Sequence, residues 1–236
     1  MPIMLKAERH LFMTETIKWA ALIILLLVDY IVFIPGYNRK KFDHTPRKEK
    51  LTYKGISIGI LFLILLSGYI NGLVTHKVMP QDFLWVLGML SCAFGDIILE
   101  IKFTKGGLLF GLGHLLYIAA LVAYTEKISL LIVILYICFA LAGTVLTIKY
   151  LGSRHRGLMI LYNCVISFSF ALGANLSVVK ATSTRLVFIG IGMCLLVVSD
   201  WILARNRRIG TTETRSMMCL TLYFSGQALL AVSMWV

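Results

Sequence analysis

Polar residues divide this chain into long apolar runs. Eight of them reach the roughly 20 apolar residues that a bilayer-spanning helix needs. They lie at about 17–35, 55–74, 83–101, 107–124, 128–148, 158–179, 186–204 and 217–236. The connections between them are short, so consecutive helices are expected to run antiparallel. No segment remains for a soluble domain, and the chain reads as one polytopic membrane domain over 1–236. Residues 1–16 form at most a short interfacial stretch. The first run ends in "FIPGYNRKK" with no small-residue cleavage site after it, so an uncleaved helix is expected rather than a signal peptide.

Loop charge sets an orientation. The alternate loops 36–54, 102–106, 149–157 and 205–216 carry +5, +2, +3 and +3, and the connections on the other side carry far less. Positive loops stay in the cytoplasm, which puts both termini outside. The expected location is a bacterial inner membrane. Composition agrees: 59% of residues are hydrophobic and 14% charged, against about 25% charged in an ordinary soluble domain. The net charge of +12 does not indicate nucleic acid, because the basic residues lie between apolar runs instead of along one polar face. Five cysteines without a CxxC, all in or beside apolar segments, read as small apolar side chains.

Two runs carry an acid in the same setting. The third ends Gly95-Asp96-Ile97-Ile98-Leu99 and the seventh Ser199-Asp200-Trp201-Ile202-Leu203, each followed by a basic loop. Helices four apart run in the same direction, which fits two four-helix halves in parallel repeat. Chance recurrence is the alternative.

Helix rise converts sequence offset into depth. Asp96 lies about 9 Å before Lys102, Asp200 about 7–8 Å before Arg205, and His114 about 13 Å after Lys105. Asn163 lies about 10 Å after Arg156, and Tyr223 and Gln227 about 12 and 18 Å after Arg215. Asp29 is also near the inner end of its helix. On helices of both directions the polar residues gather in the cytoplasmic half. One shared inward cavity accounts for this, whereas isolated polar groups facing lipid would each be uncompensated. His114 with Tyr117, and Tyr223 with Gln227, share helix faces. Gly111, Gly113 and Gly226 leave room near them or allow close helix approach. His114 and Asn163 could equally be interhelical hydrogen-bond formers, Asp29 could pair with a basic loop residue, and Glu100 is expected to snorkel toward Lys102 and Lys105.

Asp96 and Asp200 are the catalytic candidates. A carboxyl pair can place one protonated and one ionised group in a single cavity, which suits acid–base hydrolysis. A zinc site from Asp96, Asp200 and His114 is an alternative, weakened by the lack of an HExxH or an i, i+4 His pair; His10, His44, His76 and His155 lie in loops or at the N-terminal edge. No metal or other cofactor is expected. A proton-coupled carrier is a further alternative, but carriers usually show broken helices on both sides of the midplane.

The combination "GDIIL", "GLLFGLGHLLYIAAL", "VSDWILA" and "TLYFSGQALLA" resembles the YhhN-like lysoplasmalogenases over about Lys54 to the C-terminus. The resemblance implies an eight-helix integral membrane hydrolase that cleaves the vinyl ether bond of lysoplasmalogens, giving a fatty aldehyde and a glycerophospho-head group. It carries over to Asp96, His114, Tyr117, Asp200, Tyr223 and Gln227, with Tyr162 and Asn163 at polar or aromatic positions of the family. His114, Tyr117, Tyr223 and Gln227 would orient water and the glycerol hydroxyl. Lys54 would meet a lipid phosphate, although Gly55 stands where the family often has Pro. The implied partner is a single-chain ether phospholipid taken from membrane lipid.

Overall fold

A computed structural model describes residues 16–43, 45–150 and 156–236. The reading of residues 1–16 as an interfacial stretch falls almost wholly outside the described residues, as do His10, His44 and His155. The described chain is all-α. Eight helices are long and apolar enough to cross a membrane. They are α1 (Thr16–Phe42), α2 (Arg47–Val74), α3 (Asp82–Leu99), α4 (Phe103–Tyr124), α5 (Leu130–Tyr150), α6 (Arg156–Val179), α7 (Thr184–Ile209) and α8 (Glu213–Val232). A short 3-10 turn, Ser233–Trp235, follows.

The three largest differences from the expected boundaries all lie on the basic side. The helix α1 does not stop at Pro35. Proline offers no N–H to the carbonyl four residues back and its ring crowds that turn. The backbone widens into a π turn over Asp29–Phe33, and the helix resumes through Pro35 and Gly36 to Phe42. The helix α2 starts at Arg47 behind Pro46, about two turns earlier than its apolar run. The helix α7 continues past the apolar run to Ile209, where Gly210 takes a φ of +77° and ends it. The stretch 36–54, expected as a basic loop, is therefore mostly helical. These polar helix ends form part of the cavity described below.

The helices α3 and α4 pack against each other extensively, and so do α7 and α8. Each pair crosses glycine on glycine. A Cβ on Gly113 would lie 2.9 Å from the Gly88 carbonyl oxygen, and one on Gly226 would lie 2.9 Å from that of Gly192. Gly88 and Gly192 stand eight residues before Asp96 and Asp200, and His114 and Gln227 directly follow the partner glycines. Ser199 donates to the Cys219 carbonyl at 3.0 Å, in the place where Gly95 faces the Gly106 carbonyl. Matching registers around both acids support the parallel repeat over chance recurrence. The flanking contacts also correspond: α2 packs on α3 as α6 does on α7, and α4 on α6 as α8 on α2.

On the face opposite the basic loops, Asp82 is fully buried and accepts a two-pronged bond from Arg185, at 2.6 and 3.2 Å, together with the Tyr124 hydroxyl. This fork joins the start of α3, the end of α4 and the start of α7. Planar guanidinium–carboxylate geometry suits such a site.

The glycine crossings generate a stability prediction. In Gly192→Ala or Gly226→Ala the new methyl meets backbone, which cannot swing aside, so a loss of about 1–3 kcal/mol is expected. Gly59→Ala, where nothing lies within 4 Å, is the control and should be neutral or slightly stabilising. Unfolding in mixed detergent micelles measures both.

Candidate functional site

A cavity of about 420 Å³ opens among the helix ends on the basic side. This lies within the range of roughly 300–1,000 Å³ common for small-molecule sites. Both acids line it, Asp96 from α3 and Asp200 from α7. They lie within electrostatic reach of one another.

Their environments differ. Asp96 is almost completely buried. One of its oxygens pairs with Lys54 Nζ at 3.0 Å, and the other accepts from the Tyr223 hydroxyl at 2.5 Å. Gln227 Nε2 donates in turn to the Tyr223 oxygen at 3.3 Å. Lys54 Nζ also donates to the Asp96 carbonyl at 3.2 Å and reaches Glu100 at 3.3 Å. Tyr37, on the resumed part of α1, donates to the same Glu100 oxygen at 2.5 Å. One lysine, two carboxylates and two phenols thus form a continuous network from α1, α2, α3 and α8. Asp200 has a simpler setting. Tyr162 of α6 donates to its Oδ2 at 2.6 Å, and no cation pairs with it among the described residues.

The sequence profile of the YhhN family matches residues 49–234. The chain belongs to the YhhN family. No curated protein and no solved structure gives a significant match to it.

Within this YhhN protein the expected site residues separate into two shells of depth. Asp96, Asp200, Lys54, Tyr162, Asn163 and Tyr223 line the cavity. His114, Tyr117 and Gln227 are buried and do not line it. His114 Nδ1 lies 2.9 Å from Ser169 Oγ, whose own proton goes to the Ile166 carbonyl. The imidazole is therefore the donor in that bond. Its ring packs edge-on behind Tyr162, with centroids 6.4 Å apart. The Tyr117 ring stacks on Trp85 at 5.0 Å, and its hydroxyl meets no hydrogen-bond partner among the described residues. The expectation that His114 and Tyr117 contact water and glycerol directly gives way to a supporting place behind the lining. Asn163 donates to the Ala140 carbonyl at 3.0 Å and accepts from Trp201 Nε1 at 3.2 Å, so its amide ties α5, α6 and α7 together.

Three further expectations are corrected. Glu100 does not snorkel toward Lys102 and Lys105; it turns inward to Lys54 and Tyr37, because that lysine has more than one acid's worth of donors to satisfy. Lys54 is engaged by two carboxylates and is not free to meet a lipid phosphate. Asp29 has no basic partner among the described residues: it is fully buried in the π turn beside Ser57, with neither oxygen hydrogen-bonded, and it lies off the cavity. Sequence reasoning missed Tyr37 and Lys41, which line the cavity from α1 beyond Pro35. Their i, i+4 spacing was a usable signal, hidden because Pro35-Gly36 reads as a stop. Among the described residues no three or more His, Cys, Asp or Glu side chains gather as a metal-ligand group.

Glu100 lies just beyond the apolar span of α3. Burial alone would push its carboxyl up, but the Lys54 charge and the Tyr37 hydroxyl together hold it below the ordinary glutamate range. Its folded pKa is thus lower than the value near 4.5 of the unfolded chain. Its ionised form adds stability above that pH, and the contribution is lost as pH falls through the lower folded value. Thermal midpoints in detergent should fall on acidification from about pH 6 to about pH 3, and Glu100→Gln should show a shallower fall over the same range.

Proposed function

We propose that the chain is a lysoplasmalogenase-type hydrolase that adds water across the vinyl ether of a single-chain alkenyl glycerophospholipid. The observation that carries the reading is the pairing of two carboxyls in one cavity with opposite partners. Asp96 is paired with Lys54, whereas Asp200 has a phenol and, among the described residues, no cation. Family membership, eight apolar helices and a cavity among basic helix ends support it.

The chemistry follows from these partners. Asp200, in its protonated form, delivers its proton to the vinyl carbon remote from the ether oxygen. The adjacent carbon becomes an oxocarbenium ion. Lys54, Asp96 and Glu100 together carry one net negative charge, which is well signed to stabilise that cation. Water attacks the oxocarbenium carbon and gives its proton to the Asp200 carboxylate, forming a hemiacetal. The hemiacetal collapses as Asp200 gives that proton to the departing glycerol oxygen and takes up the hemiacetal hydroxyl proton, and the fatty aldehyde is released. One water is consumed and no redox step occurs. Tyr162 holds Asp200 in place, and Tyr223, backed by Gln227, holds Asp96. The positive-inside tendency of basic ends supports reading the cavity as facing the cytoplasmic half of a bacterial inner membrane, with a single-chain lipid entering from the inner leaflet.

The test is aldehyde release from an alkenyl lysophosphoethanolamine by purified protein in detergent. Wild type should release aldehyde. Asp96→Asn and Asp200→Asn should each lose about 100-fold or more, the usual scale for removing a general acid or base. Activity that survives both substitutions contradicts the carboxylate mechanism. Solute uptake into liposomes without hydrolysis would favour a carrier instead.

A further inference from the structure

The cavity mouth contains cations that the catalytic proposal does not use. Lys41, near the end of α1, and Arg207, in the last turn of α7, both line the cavity. Lys41 Nζ rests on Ser216 Oγ at 3.1 Å. The Arg207 guanidinium lies over the Phe103 ring, 4.2 Å from its centroid. Among the described residues neither has an acid within ion-pair distance. Lys41 lies within electrostatic reach of Glu100, which attracts it, and of Arg207, which repels it.

Charge accounting sharpens this. Three acids line the cavity: Asp96, Glu100 and Asp200. The first two are already claimed by Lys54, and Asp200 is held by Tyr162. The lysine expected to face a phosphate is therefore committed inward, and two other cations stand at the mouth with no direct ion pair among the described residues. Both come from helix tails beyond the apolar runs. A phosphodiester suits them: guanidinium offers a planar donor pair, ammonium a mobile point charge, and the Ser216 hydroxyl a further donor once Lys41 turns to the anion.

Resting on the hydrolase reading for its substrate class, we infer that Lys41 and Arg207, with Ser216, form the subsite for the phosphate of a lysophospholipid head group. The subsite fixes how deep the chain enters. With the phosphate held at the mouth, the ether end of the lipid points inward toward Asp96 and Asp200.

The test uses binding, so that it does not depend on catalysis. A saturated 1-O-alkyl lysophosphoethanolamine has no vinyl carbon to protonate, and its affinity is compared with that of the phosphate-free 1-O-alkylglycerol. Wild type should prefer the phospholipid. The double substitution Lys41→Met/Arg207→Met should shrink that preference by about tenfold, the worth of roughly one charge-assisted hydrogen bond. The charge-keeping Lys41→Arg/Arg207→Lys should retain most of it, which separates lost charge from lost folding. A preference that survives in the Met double variant, or is absent from wild type, overturns the subsite. Competition identifies the source of the anion. Inorganic phosphate should displace the lipid only weakly, and displacement as complete as that by unlabelled lipid would make this a free-anion site and overturn the head-group assignment. If the phospholipid preference follows the two cations but no aldehyde forms from the alkenyl lipid, the subsite stands and the hydrolase reading fails.

Discussion

A buried ion pair between helices long and apolar enough to cross a membrane is the constraint on which the rest of the structure depends. Lys54 and Asp96 have side chains only 5% and 4% exposed. Neither charge is tolerable alone in such a setting: removing one member of a buried pair typically costs about 3–5 kcal/mol because the other is left uncompensated. The surrounding residues answer that demand in turn. Lysine has three donors, and Asp96, its own carbonyl and Glu100 take them. The remaining Asp96 oxygen takes the Tyr223 hydroxyl, and Tyr223 is steadied by Gln227. Glu100 takes Tyr37, which fixes the tail of α1 over the cavity. Four helices, α1, α2, α3 and α8, are thus held by one network of charge satisfaction.

The parallel repeat explains why there are two acids, and the pair explains why they differ. Equivalent glycine crossings place Asp96 and Asp200 at equivalent depths on α3 and α7. From the preceding helix, Asp96 receives a lysine and Asp200 a tyrosine. One turn past each acid stands Glu100 in the first half and Ala204 in the second. The same backbone frame therefore carries a lysine-paired carboxylate on one side and, among the described residues, a carboxyl without a cation on the other. Two similar acids in different surroundings are what acid–base chemistry requires.

Much of this was legible in the sequence, for physical reasons. Lipid imposes long apolar runs, so eight helices and their order could be read directly. A carboxylate in such a run is costly enough to stand out, which is why Asp96 and Asp200 were found. What hydropathy could not show is helix that continues into polar surroundings. The stretch with Tyr37 and Lys41 lies past Pro35, the first turns of α2 before Lys54 are charged, and Arg207 lies past the apolar part of α7. Partner choice was equally hidden. Glu100 sits one turn from two loop lysines in sequence, yet it bonds to a lysine from another helix. His114 and Tyr117 were recognised as polar residues on one face, but only packing reveals that Tyr162 stands between His114 and the cavity.

The most direct measurement of the central claim is a double-mutant cycle on folding stability with Lys54→Met, Asp96→Asn and their combination. If the pair is the hub, each single variant leaves a buried group unmatched, and the double variant should lose less than the sum of the two by at least about 1 kcal/mol. Additive losses, with no coupling between positions 54 and 96, would contradict the account.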